Sequence, residues 1–161
     1  MFAMTLAVVA LAQSAGTEMK LLRFPAVHGD SLAFVFGGDI WTADLKGGLA
    51  RRLTSSAGSE SWPRFSPDGK WIAFSGQYDT ALPSVYVMPS EGGSPKRLTF
   101  EPAPCNVTGW TPDGKVTYAS SYGATFAARL WKVNPDGGMP ERTDLAEYTN
   151  GSYSPDGSTI S

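Results

Sequence analysis

Phe65-Ser66-Pro67-Asp68-Gly69-Lys70-Trp71-Ile72-Ala73-Phe74-Ser75 is the stretch that decides the fold. Its first five residues return as Trp110-Thr111-Pro112-Asp113-Gly114 after 45 residues, then as Tyr153-Ser154-Pro155-Asp156-Gly157 after a further 43. Two other signatures keep the same phase. Gly47-Gly48 returns as Gly92-Gly93 and again as Gly137-Gly138, each step being 45 residues. Arg52-Leu53-Thr54 returns as Arg97-Leu98-Thr99 and fades to Arg142-Thr143. A period of about 40 to 50 residues with a glycine-marked hairpin in each unit predicts β-propeller blades.

The second repeat shows how one unit is built. Pro63 biases Trp62 away from helix, so Pro63–Ser66 reads as a short extended segment. Pro67-Asp68-Gly69 is a turn, in which proline presets φ, aspartate bonds nearby backbone and glycine takes the left-handed position. Trp71–Phe74 is a continuous apolar run, which suits a strand covered on both faces. Gly76–Thr80 is a polar connection, Val85–Met88 a third strand and Glu91-Gly92-Gly93 a second turn. Lys96–Thr99 is of mixed polarity and suits an outer strand. In the first repeat His28-Gly29-Asp30 takes the turn position, with strands at Ser31–Val35 and Asp39–Ala43. The third repeat offers Val116–Ser120 and Leu130–Val133. No segment after residue 16 has the pattern of a long helix.

The fold class is therefore all-β, an incomplete β-propeller. Residues 17–161 supply a partial propeller of about three and a half blades of WD-type repeats, whereas closed rings take about 4 to 8. The chain reads as an N-terminal portion of a longer protein. Blades stack face to face, so an unclosed arc is expected to leave faces uncovered at Phe34, Trp41 and Tyr118, and to associate through them.

Composition removes several functions. The net charge is −2 and no basic run exceeds Arg51-Arg52, so nucleic acid is not a partner. Cys105 is the only cysteine and excludes an intrachain disulfide. A catalytic thiol needs a histidine partner, and the only histidine, His28, lies in a different repeat, so Cys105 reads as a buried or loop thiol. A lone histidine makes no zinc site, so His28 reads as a turn residue bonded to local backbone. Asp68, Asp113 and Asp156 lack the clustered carboxylates of a calcium loop and read as turn residues. Ser66, Thr111 and Ser154 recur in every turn, and a nucleophile is not copied into every blade. Asn106-Val107-Thr108 and Asn150-Gly151-Ser152 match a glycosylation sequon by chance. Trp41, Trp71, Trp110 and Trp131 fall on strands and read as core. No catalytic, cofactor-binding or metal site is predicted within the chain, and no cofactor.

The wording of the repeats resembles a known family. Leu22–Asp30, then Gly38-Asp39-Ile40-Trp41, Gly47-Gly48 and Arg51–Thr54, is similar to the opening of tricorn-type serine proteases. Phe65–Gly76 and Val85–Pro89 continue it, and the resemblance runs from about residue 21 to 161. The Ser-Pro-Asp-Gly turn also occurs in TolB-type periplasmic proteins and in the propellers of prolyl-oligopeptidase-like enzymes. The resemblance implies a six-bladed ring, then a seven-bladed propeller, a PDZ module and a serine peptidase domain. It implies a non-catalytic channel or interaction scaffold here, with peptides or unfolded polypeptide and the downstream domains as partners. A homo-oligomer is compatible with it. The family's catalytic residues lie far downstream, so none is carried onto this chain. The alternatives are a TolB-like protein-binding propeller and the propeller of another hydrolase.

Residues 1–16 form a separate N-terminal segment. Phe2–Ala12 is apolar and ends in Ala10-Leu11-Ala12, the small-residue pattern of a secretory cleavage site. That reading places the protein in the periplasm or outside the cell, and a cytoplasmic protein is the alternative. Mass spectrometry of the mature protein is expected to find a new N-terminus near Gln13. Intact Met1 on protein recovered from the cytoplasm would reject export.

Overall fold

The computed structural model describes residues 22–124, 127–143, 151 and 154. Twelve strands occur among them, and no helix. The first sheet holds β1 (Arg23–His28), β2 (Ser31–Phe36), β3 (Asp39–Asp44) and β4 (Arg51–Arg52). The second holds β5 (Glu60–Phe65), β6 (Trp71–Gly76), β7 (Ser84–Pro89) and β8 (Lys96–Arg97). The third holds β9 (Cys105–Trp110), β10 (Val116–Ser120), β11 (Arg129–Val133) and β12 (Glu141–Arg142). Within each sheet the spatial order follows the chain, and every pairing is antiparallel. The three sheets are the three predicted blades. The turn at residues 153–157, which would open another, lies outside the described residues except for Ser154. The N-terminal segment of residues 1–16 lies outside them entirely.

The middle blade explains the unbroken apolar run. Ile72, Phe74, Tyr86 and Met88 point to one face and pack with Ala33, Val35 and Ile40 of the first blade. Ala73, Val85 and Val87 point to the other and pack with Val107, Trp110, Val116 and Tyr118 of the third. A strand's side chains alternate between faces, so burying both faces requires apolar residues at every position. Each fully buried aliphatic or phenyl side chain is worth about 1.5–3 kcal/mol. The expectation for Phe34 and Tyr118 is corrected here. Phe34 is only 6% exposed, and Tyr118 is fully buried against the second blade, with its hydroxyl donating to Glu101 at 2.7 Å. Trp41 is half-buried.

The Arg-Leu-Thr signature holds each outer strand to its neighbour. The amide of Ile40 donates to Thr54 Oγ1 at 2.9 Å, and Val85 repeats this with Thr99 at 2.9 Å. Leu98 enters the core, and the amides of Leu53 and Leu98 each donate at 2.8 Å to the third strand of their own blade. Arg52 and Arg97 donate from Nε to the carbonyls of Thr54 and Thr99, both at 2.7 Å. The preceding cation reaches the following blade: Arg51 donates to the Glu91 carbonyl and Lys96 to that of Asp136, again both at 2.7 Å. These outer strands are shorter than expected, because regular pairing covers only two residues. Leu98 adds one further backbone bond to Val85 while its side chain and that of Thr99 turn inward.

Neighbouring blades also share buried backbone bonds. The amide of Glu60 donates to Gly38 O at 2.9 Å, and Cys105 repeats this with Pro83 O at 2.8 Å. The amide of Val107 donates to Ser75 Oγ at 2.8 Å across the second junction. Ser75 is 1% exposed, so Ser75→Ala strands that amide without water. Such a loss costs about 1–3 kcal/mol. A matching fall in the denaturation midpoint is expected, and an unchanged midpoint would show that the bond does not hold the junction.

Candidate functional site

The first strands of the blades, β1, β5 and β9, come together along one edge of the arc, and the fourth strands splay apart. This inner edge carries a cleft of about 610 Å³. Its lining includes Val27, His28, Arg64, Phe65, Thr108 and Trp110. Arg64 spans two blades, donating from Nε to Thr108 O at 3.3 Å, while its own carbonyl accepts from Trp110 Nε1 at 2.9 Å.

Two inner strands carry a backbone feature absent from the pattern analysis. Phe24 and Trp62 have φ of 53° and 56°, and they are the only described residues other than glycine at positive φ. Each stands before a proline, Pro25 or Pro63, a position that ordinarily favours extended backbone. A bulky side chain in this region is strained by on the order of 1–3 kcal/mol. The register of the pairing slips at both places, between Arg23 and Ala26 and between Ser61 and Arg64. The bulges bring the two rings together, with centroids 4.2 Å apart. Trp62 stays 38% exposed. The corresponding residue of the third blade, Val107, is buried in the core. The repeated aromatic-proline pair was the available sequence signal, and it was hidden because proline at this position also fits a plain extended strand.

The residues weighed as catalytic do not assemble. Ser66 donates to Asp68 Oδ1 at 2.6 Å and accepts from the amide of Trp71 at 3.0 Å. The Ser66 bond and the Lys70 amide hold the Asp68 carboxyl below its ordinary range. Both residues thus serve the turn. His28 corrects the expectation of a bond to local backbone, because its ring packs across the junction against Phe65, at 6.0 Å, and Gly69. Gly69 has φ of +71°, and a Cβ there would lie 2.4 Å from His28 Cδ2. Cys105 is buried, and burial pushes its thiol up. Trp71 departs from the predicted core, being 38% exposed at the start of β6, whereas Trp110 is buried and Trp131 packs against the second junction. Among the described residues no group of histidine, cysteine, aspartate or glutamate is placed to hold a metal ion.

Behind the wall, one carboxylate ties the first two blades. Glu60 Oε2 accepts from the Ile40 amide at 2.9 Å and from Thr54 Oγ1, and Oε1 accepts from the Tyr78 hydroxyl. Asp39 lies close by, ion-paired with Arg52 at 2.7 Å. The third blade has Cys105 at the position of Glu60, and Glu101 supplies the carboxylate for Tyr118 instead.

Comparison with known proteins bears on this arrangement. Residues 19–161 match the family model of the tricorn protease N-terminal beta propeller domain. Tricorn protease homolog 1 of Streptomyces coelicolor is 44% identical over 71 residues, covering 44% of this chain and 7% of that protein. The crystal structure of the tricorn protease aligns with a TM-score of 0.74 at 28% identity, over 84% of this chain and 14% of that one. TolB from Acinetobacter baumannii aligns with a TM-score of 0.68 at 24% identity, over 88% of this chain and 37% of that one. At that identity the likeness to TolB is one of fold alone. The matches span only 6% and 7% of the length of the first two curated relatives.

Burial raises the Glu60 carboxyl, and the bonds from Thr54, Tyr78 and Ile40 offset this only in part. A raised acid is favoured protonated in the folded state. Its contribution is full below the ordinary glutamate range and is lost as pH rises through the folded value. Glu60→Gln is expected to flatten that decline in melting temperature between mildly acidic and neutral pH. An unchanged pH profile would show that another group sets it.

Proposed function

This chain belongs to the family of tricorn protease N-terminal β-propeller domains, and on that premise we propose that it is the non-catalytic propeller arc of a peptide-degrading serine peptidase. Its inner wall forms part of a channel or docking scaffold for peptides or unfolded polypeptide. The observation that carries this reading is the cleft along β1, β5 and β9, lined by side chains and bounded by rigid sheets. Among the described residues, Ser66 and His28 of that lining are not arranged as a nucleophile and its base. Ser66 is committed to Asp68, and the single histidine packs against the next blade. The peptidase residues then belong to other parts of the same protein, which act as partners of this arc. Where in the cell this happens depends on the N-terminal segment, for which we retain the export reading with the cytoplasm as alternative.

Two measurements test the proposal. Residues 19–161 alone are expected to cleave no peptide, while the full-length protein does. In the full-length protein Val27, 58% exposed on the cleft wall, is replaced by cysteine and labelled with a bulky maleimide. Turnover of long peptides is expected to fall several-fold while a short chromogenic substrate is unaffected. Equal turnover of long peptides with and without the label would reject passage or docking at this wall.

A further inference from the structure

β1 ends differently from its counterparts. The strand pairing places Val27, Phe65 and Trp110 at equivalent positions, opposite Leu32, Ile72 and Val116. The residues that follow them are His28, Ser66 and Thr111. Ser66 and Thr111 serve their own turns: Ser66 donates to Asp68, and Thr111 Oγ1 accepts from the amide of Lys115 at 2.9 Å. His28 serves no such turn, because β1 passes into β2 through Gly29-Asp30 alone. Its ring crosses the junction and rests on Gly69 beside Phe65. A Cβ at Gly69 would lie 2.5 Å from His28 Nε2, whereas a Cβ at Gly114, the matching turn glycine of the third blade, would meet no described atom within 4 Å. The clearance at Gly69 is therefore a seat for the imidazole and not a need of the turn.

The seated ring is exposed and lines the cleft, next to the exposed Val27. The other polar side chains of the lining are engaged. Arg64 bonds Thr108 O and Pro63 O, and Trp110 Nε1 reaches Arg64 O. Thr108 Oγ1 pairs with Thr117 Oγ1 at 2.9 Å, and Ser154 is engaged as well. The carboxylates of the adjoining turns are spent too: Asp30 pairs with Lys46 and Asp68 accepts from Ser66. Among the described residues the His28 imidazole has ring contacts and no hydrogen bond. The lining thus holds one uncommitted hydrogen-bonding side chain, in a fixed seat, beside apolar neighbours.

We propose that His28 is the hydrogen-bonding residue of the cleft and holds the main chain of an extended peptide. The proposal rests on the channel reading above and names what that wall recognises. A neutral imidazole carries one donor and one acceptor. Each peptide unit other than one at proline also offers one of each, so the match does not depend on side-chain sequence. The cleft runs across three blades, which suits an elongated occupant. Val27 and Phe65 give apolar contact to whichever side chain lies beside the imidazole. Selection by side-chain charge would need an unspent charge in the lining, and Arg64, Asp30 and Asp68 all have partners.

The test is fluorescence anisotropy with the full-length protein and two labelled, unstructured peptides of equal length. One is rich in aspartate and glutamate, and the other carries asparagine and glutamine instead. His28→Phe keeps an aromatic ring on Gly69 and Phe65 but has no hydrogen-bonding atom. It is expected to weaken binding of both peptides about fivefold, the scale of one lost hydrogen bond. His28→Gln keeps a donor and an acceptor and gives up the ring, and it is expected to bind both peptides nearly as the wild type does. Turnover of a short chromogenic substrate is expected to stay unchanged in both variants. Weakening by His28→Gln equal to or greater than that by His28→Phe would assign the ring to packing and overturn the proposal. A preference for the acidic peptide that His28→Phe abolishes would overturn main-chain recognition in favour of ion pairing. If His28→Phe binds as the wild type does while the labelled Val27→Cys variant still slows long peptides, the His28 assignment falls and the channel reading stands. If neither peptide binds and the label has no effect, both fall.

Discussion

A four-stranded sheet that is apolar on both faces cannot stand alone in water. The second blade is such a sheet, with Ile72 and Phe74 facing one neighbour and Ala73 and Val85 facing the other. Everything else in the molecule answers to that requirement. The blades must stack, so their inner strands converge and an inner wall exists. Stacking brings backbone amides and carbonyls together away from water, so polar partners must be built into the junctions. Ser75 and the Glu60 carboxylate, the latter also accepting from Thr54, meet that need. Repeat proteins of this kind derive their stability from neighbour interfaces more than from any one unit.

The two junctions solve one problem with different residues. At the first, Glu60 rises from the inner strand and takes a phenol from Tyr78. At the second, its place is held by Cys105, and Glu101 in the preceding loop takes the phenol of Tyr118. A tyrosine hydroxyl donating to a carboxylate recurs, with Glu60 buried and Glu101 half-buried, but the chain positions do not.

Much of the fold was legible in the sequence, because the features that carry it are local and repeated. Pro-Asp-Gly and Gly-Gly mark turns by backbone preference, and the run Trp71–Phe74 reports burial on both faces. Trp71 itself misled, since a strand's first residue can stand beyond the shelter of the neighbouring blade. The outer strands were overdrawn for a related reason: Leu98 and Thr99 continue the sequence pattern but serve the core and the adjoining third strand. His28 was read locally, yet its contacts are made with a glycine 41 positions away in the chain. The inner wall was the least visible part. A bulge is a property of pairing between strands, and the pairs Phe24-Pro25 and Trp62-Pro63 look like ordinary extended segments until the register is known.

Each of the three sheets is drawn from one uninterrupted segment, and among the described residues no strand is lent from one blade to another. That separates the history of the protein from its folding. A duplication or loss whose endpoints fall in the loops between β4 and β5, or between β8 and β9, leaves every hydrogen-bonded ladder whole. Only the side-chain faces must be refitted, and those change by ordinary substitution. An architecture of this kind can change its number of blades in single steps, and each new copy begins with a wall segment free to acquire its own chemistry.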